Sequence, residues 1–363
     1  WRHQGQLSKT VSVATNVNYV SDTAYFTDLG TDLNLSNTTH QERVGDIYWQ
    51  QGMWSLLGRV QAFQTIDPTI PDALKPYSKL PQLLLSVGER SSRGLEPQLS
   101  TELTYFHRRI DDGSGAEVNG ARYKLAPSVA YRVEEPWGHF TPRVKVESLL
   151  YQLEGAGVGT NNMRDVTVPT FSLDTGLVFE REQGSVLQTL EPRAFYLFAP
   201  FQQQDDLPNF DTATTTFSYA QLFRDSRFSG GDRLDDANQL SLGLTSRLID
   251  GNSGDEIIRA SIGQIAYLRD RKVGLYPNSP VATDDFSGFA AELVAPIGRG
   301  LSVAADGLWS RDLDYASQYA INFNYLPENR DRLANVGYHY RREDLSIGQK
   351  PVSQASLSFV QPI

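Results

Sequence analysis

Cysteine is absent from all 363 residues, which removes thiolate metal centres and cysteine nucleophiles. No run of about 18 apolar residues occurs anywhere, so no transmembrane helix is expected. That absence leaves a transmembrane β-barrel open, because its strands need an apolar residue only at every second position. The mean hydropathy of −0.38 is compatible with such a wall. Blocks of like charge are also missing: 33 basic against 43 acidic residues give a net charge of −10 with no basic stripe. Nucleic acid is therefore excluded as a partner.

Catalytic patterns are lacking too. The five histidines, His3, His40, His107, His139 and His339, form no H-x-x-x-H pair and have no carboxylate at metal-ligand spacing. No G-x-S-x-G, P-loop or dinucleotide fingerprint occurs, so neither an enzyme nor a cofactor is expected. The chain opens in mid-pattern with WRHQGQL and shows no signal peptide there, so a preceding segment is expected to have been removed.

What the chain does contain is alternation, with 17 Tyr, 17 Phe and 29 Gly around it. Val11, Val13, Val17 and Tyr19 alternate with Ser12, Ala14, Asn16 and Asn18, and Leu33 and Leu35 open a further segment. Leu99, Leu103 and Tyr105 stand opposite Ser100, Glu102 and Thr104. Phe171, Leu173, Leu177 and Phe179 oppose Ser172, Asp174, Gly176 and Glu180. Leu240, Leu242, Leu244 and Leu248 oppose Ser241, Gly243, Thr245 and Arg247. Such period-two patterning predicts roughly sixteen to eighteen strands of about 8–11 residues and no 3.6-period helix. Strands of that length cross a bilayer when tilted, so the expected fold is all-β, a large antiparallel transmembrane β-barrel.

Aromatic residues support that expectation. Tyr19, Tyr25, Phe26, Trp49, Trp54, Tyr105, Phe106, Tyr131, Trp137, Trp309 and Tyr325 lie toward strand ends, where interfacial girdles are built. Three segments look like one turn repeated: Val133 to Gly138, Val294 to Gly298, and Val360 to Ile363 each place Pro where no ladder donor is needed.

The largest departure from alternation is a polar insert, Phe201 to Ala237, between two strand-like stretches. Loops longer than about 12–15 residues are usually functional or disordered, and this one is read as functional. Its candidate residues are Phe223, Arg224, Asp225, Phe228, Asp232 and Arg233. Asp225, Asp232, Asp235 and Asp236 invite a calcium reading but lack the EF-hand order, so a plain loop with Asx turns is preferred. The opposite charges of Arg224-Asp225-Ser-Arg227 and Asp232-Arg233 either knit the insert to itself or dock a partner, and both remain open. Ser241, Thr245, Arg247, Ser172, Asp174 and Glu180, on the polar parity, are the candidate lumen residues. On this assignment Leu242→Arg is expected to be costly and a charge at Ser241 mild.

The central block LEPRAFYLFAPF, DLPNFDT, LFRDSRFSGGDR and DDANQLSLGLTSR closely resembles the LptD family, the lipopolysaccharide-assembly proteins of Gram-negative outer membranes. VNYVSDTAYFTDL at Val17 to Leu29 and FERE at Phe179 to Glu182 resemble it as well. The resemblance implies a very wide outer-membrane barrel with an LptE-like lipoprotein plug in its lumen. It further implies lipopolysaccharide as substrate, and periplasmic bridge proteins that bind a jelly-roll lying outside this sequence. On the same resemblance, residues 1–363 are the middle of one barrel domain, without the gate strands. The alternative from a different class is a passive porin-like channel.

Overall fold

The computed structural model describes residues 1–363 except 23–38, 89–93, 111–116, 156–157, 159–160, 299, 312–313, 328–331, 343–350 and 361–363. The segment begun by Leu33 and Leu35, the aromatics Tyr25 and Phe26, and the third Pro turn lie outside the described residues. Strands follow one another almost without interruption. They are β1 (Arg2–Gln6), β2 (Val11–Val17), β3 (His40–Gln51), β4 (Trp54–Thr65), β5 (Ser78–Gly88), β6 (Leu95–His107) and β7 (Asn119–Tyr131). Next come β8 (Val133–Glu135), β9 (Gly138–Glu154), β10 (Met163–Leu177), β11 (Phe179–Gln183), β12 (Val186–Ala199), β13 (Ala213–Thr214) and β14 (Phe228–Ser229). The chain closes with β15 (Ala237–Asp250), β16 (Glu256–Tyr267), β17 (Phe289–Gly298), β18 (Leu301–Trp309), β19 (Ala316–Tyr325), β20 (Leu333–Arg341) and β21 (Val352–Val360).

All but β13 and β14 belong to a single sheet of 19 strands among the described residues. Because β8 prolongs β7 and β11 prolongs β10 after a one-residue break, these make 17 successive wall segments. Each pairs antiparallel with the next in sequence, from β1 with β2 through β20 with β21, which is the up-and-down order. No pairing joins β1 to β21 among the described residues, so the sheet is an open wall rather than a closed ring.

The two ends of the wall differ. One end carries tight connections such as 52–53, 136–137 and 184–185, and the other carries 66–77, 200–236 and 268–288. Pro136 and Trp137 form the turn between β8 and β9, whereas Pro296 sits inside β17 at a register shift just before its turn, so these two Pro segments are not copies of one geometry.

Several central strands exceed the expected length. β9 has 17 residues and β10 has 15, against the roughly 8–11 that alternation suggests. In β9 the polar parity of Arg143, Lys145 and Glu147 gives way to buried Leu149, Tyr151 and Leu153. With apolar residues on both faces, period two no longer marks where the strand continues.

Candidate functional site

Burial along β15 sets the two faces apart. Ser241, Gly243 and Thr245 are buried while Leu242 and Leu244 between them are exposed. The buried parity is the concave inner face, and what covers it is the insert 200–236. A strand whose leucines are open and whose serine is closed has its polar side against protein and its apolar side toward hydrocarbon.

Three features seat the insert. The first is room. A cross-strand row on the inner face reads Gly176, Arg193, Gly243, Gly263, Ala290 from β10 to β17. Against it lies the short 3-10 helix Tyr219–Phe223, whose Leu222 is fully buried. A Cβ on Gly243 would sit 2.6 Å from Phe223 Cζ and 2.7 Å from Tyr219 Oη, and one on Gly263 would sit 2.5 Å from Leu222 Cδ1. Only glycine lets the helix approach the wall this closely.

The second feature is an apolar core shared by insert and wall. Phe210 stacks on Phe106 with centroids 4.6 Å apart and meets Tyr77 edge-on at 4.9 Å. Leu207 and Leu234 join Leu149, Tyr151, Leu153 and Leu197 in the same cluster. Phe106 is fully buried there, so it is a core residue and not part of an outer girdle; its parity in β6 is that of Thr104, which faces inward. Trp54, Tyr131, Trp137 and Tyr325 are exposed.

The third feature is charge. Arg122 of β7 is only 1% exposed. Its guanidinium donates to Asp211 Oδ1, Asp232 Oδ1 and Glu102 Oε1, each at 2.7 Å. Asp232, itself fully buried, also accepts the Tyr151 hydroxyl at 2.9 Å and the backbone N–H groups of Phe210 and Asp211 at 2.8 Å. Lys79 Nζ lies 2.8 Å from Asp211. Burial pushes the Asp211 carboxyl up, but the charges of Arg122 and Lys79 outweigh burial and hold it well below the usual carboxylate range. A buried charge set is tolerable only when each member is paired, which this arrangement achieves for both insert carboxylates.

A second segment, 268–288, grips the insert from the long-loop end. Asp236 accepts the backbone N–H of Lys272 at 2.9 Å and of Val273 at 3.0 Å. Arg227 binds Asp235 at 2.6 Å and reaches the Val273 carbonyl at 3.1 Å, while Arg233 donates to the carbonyls of Pro208 at 2.8 Å and Gly274 at 3.3 Å. Below the insert the inner face turns charged around a cavity of about 480 Å³. Arg143 and Lys145 there hold Asp225 at 3.2 and 3.3 Å. Asp174 accepts two bonds from Arg193, at 2.8 and 2.6 Å, and lies 3.1 Å from His139 Nε2. The Arg193 guanidinium also lies 4.0 Å from the Phe223 ring centre.

The candidates named from sequence thus separate. Phe223, Asp225, Phe228, Asp232 and Arg233 are inside the seat. Arg224 is exposed and bonds Gln221 within the insert. Ser172 and Ser241 are buried on the inner wall, Thr245 bonds Tyr219 and Ser261, and Arg247 meets Glu191 and Glu256. Glu180 lies exposed in β11 by the tight-turn rim, away from the others. Neighbouring charges in sequence do not pair: Asp232 goes to Arg122 rather than Arg233, and Asp225 to Arg143 rather than Arg224.

A charge at Ser241 is not mild, contrary to the expectation from alternation. Its side chain is fully buried beneath the insert, so a charge there meets protein and not lumenal water. Arg122, Tyr151 and Asp211 are not among the residues the sequence pattern points to. Arg122 had a signal nonetheless, since it and Lys124 alternate with the exposed Tyr123 and Leu125.

A wall of long antiparallel strands, apolar outside and polar inside, with a loop folded back onto its inner face, defines a large β-barrel protein of the outer-membrane class. Residues 1–363 match the family model described as LPS transport system D, and the chain belongs to that family. The LPS-assembly protein LptD of Acinetobacter baumannii is 37% identical over 377 residues, covering 99% of this chain and 44% of that protein. Its counterpart in Nitrosococcus oceani is 38% identical over 363 residues, covering 97% and 48%. The chain therefore spans about half the length of the curated relatives it matches. Among solved structures, the siderophore receptor PirA of A. baumannii aligns with a TM-score of 0.41 at 10% identity, covering 97% of this chain and 69% of that one. The FrpB iron transporter of Neisseria meningitidis aligns at 0.37 with 11% identity, covering 91% and 60%. Neither likeness bears on function.

Proposed function

We propose that this chain is the middle of the wall of an outer-membrane translocon that assembles lipopolysaccharide into the outer leaflet. The two-faced wall carries the reading: its outer parity suits acyl chains, and its inner parity, charged below the insert, suits a hydrated saccharide. The insert and segment 268–288 close the inner space toward the long-loop end, the outward-facing end in barrels of this class. The cavity edged by Arg132, Arg143 and Asp174 stays open beneath them. A lipoprotein plug of the LptE kind is the expected lumenal partner, and periplasmic bridge proteins would join through parts of the protein outside these residues. The work is transfer and positioning, without a catalytic step.

The test uses the full-length protein in a Gram-negative host whose own copy can be depleted. Surface lipopolysaccharide should fall on depletion, and a lipoprotein should co-purify with the barrel. Unchanged surface lipopolysaccharide, or a barrel isolated alone with steady ion conductance, would contradict the reading.

A further inference from the structure

The outer face is not even. Next to the insert's end of the wall it carries a cavity of about 710 Å³, bounded by Leu177, Leu240, Leu242, Leu244, Ile262 and Phe289. Its low points are side chains that stop short in an otherwise leucine-rich row. Thr175, Ala194, Leu242 and Gln264 are cross-strand neighbours on one level, and Pro192, Leu244 and Ile262 on the next.

The cavity is built by an interruption of the ladder. Strands β16 and β17 pair regularly from Arg259 with Val294 to Gly263 with Ala290, and there the named pairing ends. Above that point the Ile265 N–H is taken by Ser287 Oγ at 3.0 Å, and Gln264 Nε2 donates to the Ser287 carbonyl at 2.9 Å. Ser287 N–H returns to the Ile265 carbonyl at 2.9 Å. Phe286 is bridged to Ala266 and is exposed. Irregularities of this kind re-aim side chains beside functional sites. Here the polar groups opened by the departure satisfy one another, so what remains facing outward is hydrocarbon. On the far side of the same wall lies the glycine row that seats the 3-10 helix, so the backbone here is lined closely on its inner face and left open on its outer one.

An apolar cavity within the range typical of ligand sites, about 300–1,000 Å³, set in a face that is continuous with the hydrocarbon-facing surface, takes a hydrocarbon chain. Leu242, Leu244 and Pro192 lie at the middle of their strands, while Leu240, Ala266 and Phe286 lie toward the long loops, so the cavity runs from the middle of the wall into its outer-leaflet half. We propose that this groove seats one acyl chain of an outer-leaflet glycolipid, holding that lipid against β12, β15 and β16. The source of the chain rests on the function proposed above; the groove itself does not.

The experiment takes the full-length protein, extracted from Gram-negative membranes in mild detergent, and measures bound lipid by mass spectrometry. Wild type and Val336→Trp, a change on the outer face away from the groove, should keep bound glycolipid. Ala194→Trp and Ala266→Phe, which fill the groove from two different strands, should lower it about tenfold, the factor that goes with excluding two methylene groups. Heat-modifiable gel mobility shows which variants have folded, and either filled variant suffices. Equal retention in a filled, folded variant would overturn the site, and retention of phospholipid in place of glycolipid would overturn the assigned occupant. Surface lipopolysaccharide after depletion reports on the proposed function separately.

Discussion

The wall from β6 to β16 and the wall from β17 to β21 are built by the same alternation and come out differently. In the first, inner positions are filled by the insert, strands reach 17 residues, and Arg122 and Asp232 are buried to 1% and 0% exposure. In the second, strands run 9 or 10 residues, and none of the buried core residues lies beyond Ala290 among those described. There the inner parity stays polar, as in Asn335, Gly337 and His339 opposite Ser358, Ser356 and Gln354. The outer parity stays apolar, with Val336 and Leu357 paired and exposed. A barrel wall needs no core of its own where its inner face is wet. Where a loop occupies that face, the wall acquires a protein interior with its usual rules of packing and charge pairing.

The strongest break of this contrast is Arg122→Ala. It leaves Asp232 and Asp211 buried with fewer donors, and losing one partner of a buried pair costs about 3–5 kcal/mol. Proteolysis within 200–236 should accelerate while β17 to β21 keep their resistance. Next come Leu242→Arg and Ser241→Arg, both in β15. An arginine on the lipid face near the midplane costs about 2–4 kcal/mol, and one at Ser241 displaces the insert, so both should lower the midpoint in a detergent-folding titration. On the wet flank, Asn335→Arg should be tolerated, which sharpens the difference between the two inner faces. Gly243→Val is smaller, about 1–3 kcal/mol from overpacking, and should appear as altered near-ultraviolet circular dichroism from Tyr219 and Phe223.

The weakest lever is acid. Asp211 has a depressed pKa in the folded state, so its contribution is fully present above the unfolded carboxylate range and is lost as pH falls through the lower folded value. Insert protection should therefore be flat from pH 8 to pH 5 and decline only below about pH 4. A decline already at pH 6 would point to a different titrating group.

Legibility in the sequence followed the same divide. Fold class, strand number and the outward facing of Leu242 could be read wherever apolar and polar residues alternate, even where the polar side meets protein, as at Ser172 and Ser241. Strand lengths in β9 and β10 could not, because Leu149, Tyr151 and Val166 supply an inner apolar face that hides the period. Phe106 looked like a girdle aromatic for the same reason: its core partner, Phe210, is about a hundred positions away in the insert. Charge pairing was least legible, since Arg122 and Asp232 are separated by 110 residues while sequence shows only the neighbours Asp232 and Arg233. Glycine spacing marks the seat of the 3-10 helix, as Gly243 and Gly263 fall on inner parity in adjacent strands.

Amide hydrogen exchange on the full-length protein tests the central claim most directly. If the insert is seated by Arg122, the N–H groups of Phe210 and Asp211, both bonded to buried Asp232, exchange as slowly as those of β9 and β15 in wild type and become fast in Arg122→Ala. Rapid exchange of these two amides in wild type, at the rate of a solvated loop, would contradict it.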